Sequence, residues 1–327
     1  MSLLRALVLG CALFASAGAA AAQCVAPPPP DPAAAQEAAA GASGFDELGR
    51  VVAPMMVNGQ GPFRFIVDTG ANRSVLSEAL ARRLNLTPSG EGAVHSVHEV
   101  VTAPLVRVES LRYGPLSMPS EEVPLLDGAM LAGEHGLLGV DGMAGRRLRM
   151  DFTRRCIEIV PARGAPALGR GWTRLRGELR FGNLVVVRGV VQGMRVNVLI
   201  DTGSNVSLAN RALHQALAAR TRYARDAEGF GRAFTAGDPV VLDTALVLPA
   251  LEIGELTMSN LLLFVGEYHI FSLWGLDSEP TLLVGMDVIG RAGGLAIDYH
   301  NANVYFRLDR RNLVSPRLDD VMLFRRF

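Results

Sequence analysis

Lysine does not occur in this chain of 327 residues; all 32 basic residues are arginine. That absence excludes chemistry needing a lysine amine, namely Schiff bases and the phosphate-binding lysine of a P-loop. Net charge is lacking too. The 32 arginines are matched by 32 aspartates and glutamates, so there is no electrostatic footprint for nucleic acid or an anionic membrane. Only three cysteines and six histidines are present, and they form no cluster with metal-ligand spacing. No metal and no other cofactor is expected. What is abundant is apolar sequence: 49% of residues are hydrophobic, enough for two domain-sized cores.

Residues 1–22 read as an export signal. Arg5 supplies the positive start, Ala6 to Phe14 the apolar stretch, and Ala20-Ala21-Ala22 the cleavage site. The apolar stretch is short for a membrane span and no basic stop-transfer cluster follows. No stable membrane insertion is expected after cleavage, and Gln23 before Cys24 makes a poor lipobox. The expected location is the periplasm of a Gram-negative bacterium, or outside the cell. Residues 23–44, with four consecutive prolines and then small residues, form a linker with nothing to bury. Cys11 leaves with the signal; Cys24 and Cys156 remain, and an oxidising compartment permits them to pair.

The remainder is written twice. FRFIVDTGANRSVL (63–76) and NVLIDTGSNVSL (197–208) align on Asp68 and Asp201. Each is preceded by a strand, a glycine turn and a second strand, and followed by apolar residues at helical spacing (77–86 and 209–218). Later, GLLGVDGMAG (136–145) matches LLVGMDVIGR (282–291), and each leads into a pair of strand-like segments. The aspartates are 133 positions apart and Gly139 and Gly285 are 146 apart, so the second copy carries a net insertion of 13 residues, placed around 271–280. These patterns predict a mainly β protein of two homologous lobes, 45–165 and 166–327, with short helices after each DTG. The apolar run 261–276 is broken by Glu267 and His269 and reads as a core strand entering a loop.

An apolar strand that ends on an aspartate is costly unless the carboxylate is paired or shares a proton. If the two strand ends meet at a pseudo-twofold axis, Asp68 and Asp201 become each other's partners. Like charges that close cannot both ionise, so the pair holds one proton. The ionised member can act as general base on a water, and the protonated member can donate to a scissile carbonyl oxygen. Gly70 and Gly203 permit a tight turn and close approach of the lobes. Thr69 and Thr202 can hydrogen-bond across the interface.

With its doubled hydrophobic-D-T-G-[AS] motif and later L-L-G-type element, the chain resembles aspartic proteases of the retropepsin/pepsin group, with both halves in one chain. The resemblance covers about residues 51–306. It implies the bilobal acid-protease fold, catalytic Asp68 and Asp201, supporting loops Thr69-Gly70-Ala71 and Thr202-Gly203-Ser204, and a cleft for an extended peptide or protein substrate. It also implies that Leu137-Leu138-Gly139 and Leu283-Val284-Gly285 pass behind the catalytic loops. One chain supplies both aspartates, so a monomer suffices for catalysis. The alternative is a peptide-binding protein that kept the fold without turnover.

The departures from the family pattern lie in the flaps and in one motif residue. Segment 90–104, expected to form the first flap, lacks the pepsin-type tyrosine, which favours one flap per lobe, the second at 228–239. Ser204 stands where the first motif has Ala71. A serine hydroxyl donating to Asp201 would favour the charged form there and leave the shared proton on Asp68. Asp141 and Asp287 are expected to be structural. His95 and His98 are expected to be exposed flap residues, and Trp274 belongs to a loop or core. The arginine-rich stretches 146–155 and 317–327 are expected to form solvated faces or rim pairs.

Overall fold

The computed structural model describes residues 44–308 apart from 114–115, 163, 167, 221–224 and 234–239. The first half contains β1 (Val52–Val57), β2 (Gln60–Val67), β3 (Val75–Ser77), α1 (Glu78–Arg83), β4 (Pro88–His95), β5 (Val100–Tyr113), β6 (Leu116–Leu126), β7 (Gly136–Leu138), β8 (Arg146–Asp151) and β9 (Cys156–Pro161). The second begins with β10 (Trp172–Arg180), β11 (Leu184–Val191), β12 (Met194–Ile200), β13 (Leu208–Asn210) and α2 (Arg211–Ala218). It continues with β14 (Arg225–Ala233), β15 (Val240–Ile253), β16 (Leu256–Gly266), α3 (His269–Leu273), β17 (Thr281–Val284), α4 (Met286–Ile289), β18 (Gly294–Asp298) and β19 (Asn303–Arg307). The protein is mainly β, as expected, and its strands form two sheet bodies.

The same unusual pairing occurs once in each half. β7 lies parallel to β2 and antiparallel to β3; β17 lies parallel to β12 and antiparallel to β13. A strand packed on both faces buries residues at consecutive positions instead of alternate ones. That is why FRFIV and NVLI do not alternate: the last five residues of β2 and of β12 are all buried. Each short helix that follows is capped at the corresponding position. Ser77 accepts from the Leu80 amide at 3.1 Å, and Asn210 from the Leu213 amide at 2.9 Å.

The halves are joined by more than contact between finished lobes. β8 pairs with β18, which pairs with β19, which pairs with β10, so the first half's last strands enter the sheet carrying the second half. Apolar side chains from both halves form one continuous core, from Val51 to Phe306. Of the stretch 146–155, expected to form solvated faces or rim pairs, Arg154 and Arg155 are exposed and Arg149 pairs with Glu158, but Arg147 departs from that expectation. Arg147 is buried and ion-paired with Asp298 at 2.8 Å, because its strand is internal to the shared sheet. The tail 317–327 lies outside the described residues.

Within the inserted region, the segment after β16 forms α3 rather than an irregular loop. Trp274 at its end is buried and stacked on Phe181, with ring centroids 5.4 Å apart. Cys156 is disulfide-bonded; Cys11 and Cys24 lie outside the described residues. Among the described residues, no helix is long and apolar enough to cross a membrane.

Candidate active site

Both D-T-G segments start where a doubly covered strand runs out of partners. The Asp68 amide still donates to the Leu138 carbonyl, and the Asp201 amide to the Val284 carbonyl, each at 2.9 Å. The chain then turns back on itself. Oδ1 of Asp68 accepts the Gly70 amide at 2.8 Å. Oδ1 of Asp201 accepts the amides of Gly203 and Ser204 at 2.8 and 3.2 Å. Each turn fixes one carboxyl oxygen and leaves the rest of the group facing the other lobe.

The two loops meet there. A side-chain hydrogen bond joins Asp68 and Asp201. The approach is so close that a Cβ on Gly203 would lie 2.1 Å from the Asp68 carboxyl carbon, and one on Gly70 would lie 2.6 Å from that of Asp201. Glycine is required at both positions for space. Thr69 and Thr202 are buried behind the carboxyls. The Thr69 hydroxyl donates to the Ile200 carbonyl, and that of Thr202 to the Val67 carbonyl, both at 2.6 Å.

Burial pushes both carboxyls above the usual aspartate range. Asp201 is pushed further, because it also faces the charge of Asp68. Asp68 is held back by the hydrogen bond from Asp201, by the Gly70 amide, and by the charge of Arg50. The pair therefore titrates as a unit and shares one proton. The contact by which Ser204 was expected to favour a charged Asp201 is not made. The Ser204 hydroxyl donates to the Val206 carbonyl at 2.7 Å, and only its amide reaches Asp201. The local turn takes the hydroxyl away from the carboxyl it was expected to charge.

A family model described as aspartyl protease matches residues 53–141 and 187–288, one segment in each half. The chain belongs to that aspartyl protease family. No curated protein matches it.

In this member of the aspartyl protease family the later glycine segments brace the D-T-G loops from behind. The Val140 amide donates to the Ala71 carbonyl at 2.9 Å, and the Met286 amide to the Ser204 carbonyl at 2.8 Å. Ser74 and Ser207, which sequence reading did not single out, bind these layers together. Ser74 Oγ accepts the Gly139 amide and donates to Asp141; Ser207 Oγ accepts the Gly285 amide and donates to Asp287. Both serines stand six residues after a catalytic-loop aspartate, and that repeated offset was the available signal. Asp141 and Asp287 are thus structural hydrogen-bond acceptors. Burial pushes Asp287 up to about 6.

The first flap segment, 90–104, occupies the outer part of the β4–β5 hairpin. Its tip touches the second half: the Val97 carbonyl accepts the Ile270 amide at 3.1 Å. His95 Nδ1 lies 2.9 Å from His269 Nε2, with the rings stacked. His98 Nε2 lies 3.0 Å from Glu99. Of the second flap segment, β14 accounts for the part up to Ala233, and 234–239 lie outside the described residues. Among the described residues, no group of three or more His, Cys, Asp or Glu is arranged to hold a metal ion.

Proposed function

We propose that this protein is an exported aspartic endopeptidase that hydrolyses peptide bonds with a water activated by Asp68 and Asp201. The observation that carries the reading is the single hydrogen-bonded carboxyl pair, with burial and mutual charge holding one proton on it. Ionised Asp68 takes a proton from the water as its oxygen attacks the carbonyl carbon of the scissile bond. Asp201 gives its proton to the carbonyl oxygen, so no negative charge accumulates on the tetrahedral intermediate. Collapse breaks the C–N bond. The proton held by Asp68 passes to the leaving nitrogen, and Asp201 regains one from the intermediate's hydroxyl. No residue of the chain is acylated, and the cycle returns the pair to its starting state.

A peptide extended between the lobes, below the β4–β5 hairpin, is the substrate this reading implies. Main-chain hydrogen bonds would supply affinity and alternate side-chain pockets selectivity. One chain carries both aspartates, so a monomer is sufficient. Export to a periplasmic or extracellular compartment is supported by the signal-like residues 1–22 and by the disulfide at Cys156, a bond that persists in oxidising surroundings.

The test uses mature protein from Gln23 onward, a diverse peptide library and a pH series, with Asp68→Asn and Asp201→Asn beside wild type. Cleavage by wild type and by neither variant is the expected result. Equal cleavage by all three would falsify the dyad. Peptide binding without cleavage by wild type would instead assign a non-catalytic role to the fold.

A further inference from the structure

A cavity of about 560 Å³ lies away from the carboxyl pair, between residues 164–166 and the strands β10 and β19. Its wall includes Arg174, Arg176, Asn301, Asn303 and Tyr305. The register explains the grouping. Arg174 is opposite Tyr305 and Arg176 opposite Asn303, so the two-residue alternation of each strand puts all four side chains on one face. Between them Leu175 and Val304 point into the core.

The lining is chemically one-sided. No aspartate or glutamate belongs to it. Arg174 and Arg176 make no hydrogen bond or ion pair among the described residues, unlike other arginines of the same sheet. Arg147 is paired with Asp298, Arg149 with Glu158 and Arg307 with Asp151. Glu178, next along β10, makes no ion pair with Arg176 among the described residues, and Asp298, three residues before Asn301, is fully buried. It is already occupied by Arg147, by the amides of His300 and Asn301, and by the Asn301 side chain. The Asn303 amide and the Tyr305 hydroxyl also make no side-chain hydrogen bond among the described residues. Tyr305 is only 7% exposed; burial and the charge of Asp298 push its hydroxyl above the usual tyrosine range, and the charge of Arg174 works against them.

Two neighbouring guanidinium groups without an ion-pair partner among the described residues repel each other, and each offers a planar fork that matches a carboxylate or phosphate. We propose that this cavity binds an oxyanion, a phosphate or carboxylate group, between the forks of Arg174 and Arg176, with Asn303 and Tyr305 donating from the facing strand. The volume is in the range of small-molecule sites, so the oxyanion would be part of a larger ligand. That ligand is a soluble metabolite-sized polyanion or the phosphate of a lipid headgroup. The site shares no residue with the catalytic loops, so it stands or falls independently of peptide hydrolysis.

Mature protein is titrated calorimetrically with pyrophosphate and with citrate at fixed ionic strength, sodium chloride serving as control. In parallel it is sedimented with phosphatidylglycerol or phosphatidylcholine vesicles. The variants are Arg174→Gln/Arg176→Gln and Tyr305→Phe, each checked by thermal melting. Saturable binding of pyrophosphate or citrate, weakened at least tenfold in the double variant and several-fold in Tyr305→Phe, identifies a soluble ligand. The same pattern confined to phosphatidylglycerol vesicles identifies a headgroup. No saturable binding in either arm, or equal binding by wild type and the folded double variant, overturns the proposal.

Discussion

The hydroxyls of Thr69 and Thr202 cross the lobe interface in opposite directions, each donating to the carbonyl just before the other lobe's aspartate. Thr69 reaches Ile200 and Thr202 reaches Val67. Each hydroxyl also accepts the other threonine's amide, at 3.3 and 3.1 Å. The position of each strand end that carries an aspartate is therefore set by the opposite half. Thr202→Val keeps the shape but strands the Val67 carbonyl and the Thr69 amide, a loss of about 1–3 kcal/mol. Urea unfolding should register that loss. Peptide hydrolysis should fall by about a hundredfold, the scale of a small misplacement of catalytic groups, and Thr202→Ser should restore most of both.

A methyl group at Gly203 has nowhere to go, because the Asp68 carboxyl is held in place by the Gly70 amide. Gly203→Ala should retain the circular dichroism of the parent and lose on the order of a hundredfold or more in kcat/KM. A variant within twofold of wild type would mean that the carboxyls are not packed against the opposite loops.

Ser204→Ala provides a direct check on the proton's location. Since the hydroxyl bonds to Val206 and not to Asp201, its removal should leave both limbs of the pH–rate profile in place. The acidic limb reports protonation of the charged member of the pair, and the alkaline limb loss of the shared proton. A movement of the acidic limb in this variant would restore the serine as a charge-setting residue.

Asp287 should make stability depend on pH. Its folded-state value is raised to about 6 from 3.8, so folding favours the protonated form. That stabilisation is fully present below the unfolded value and disappears as pH rises through about 6. Relative to Asp287→Asn, wild type should lose about 2 kcal/mol between pH 4 and pH 7. Chemical denaturation of both proteins at several pH values measures the difference in slope. Parallel curves would show that Asp287 is ionised throughout.

The His95–His269 contact ties the tip of the β4–β5 hairpin to α3. His269→Ala should loosen the neighbouring Val97–Ile270 hydrogen bond and speed amide exchange at Ile270 about three- to tenfold, as expected for loss of a surface hydrogen bond. Unchanged exchange would show that the hairpin tip is held by other contacts.

Much of this was legible in the residue order. The doubled D-T-G with its matched glycines identified two halves, two aspartates, and the threonines and glycines that serve them. Repeat spacing and consecutive apolar residues are local properties that survive without coordinates. Even Ser74 and Ser207 were visible in principle as a repeated offset. Other features depended on which distant segments meet. Nothing near 146–155 announces that β8 pairs with β18, or that Arg147 finds Asp298 inside a shared sheet. The same holds for His95 beside His269 and for the unpaired Arg174 and Arg176 across from Tyr305 and Asn303. The finest detail is a turn that aims the Ser204 hydroxyl at Val206 and not at Asp201. Sequence determined that two carboxyls meet; tertiary structure decided which groups surround them, because burial and hydrogen-bond direction exist only once the chain has folded.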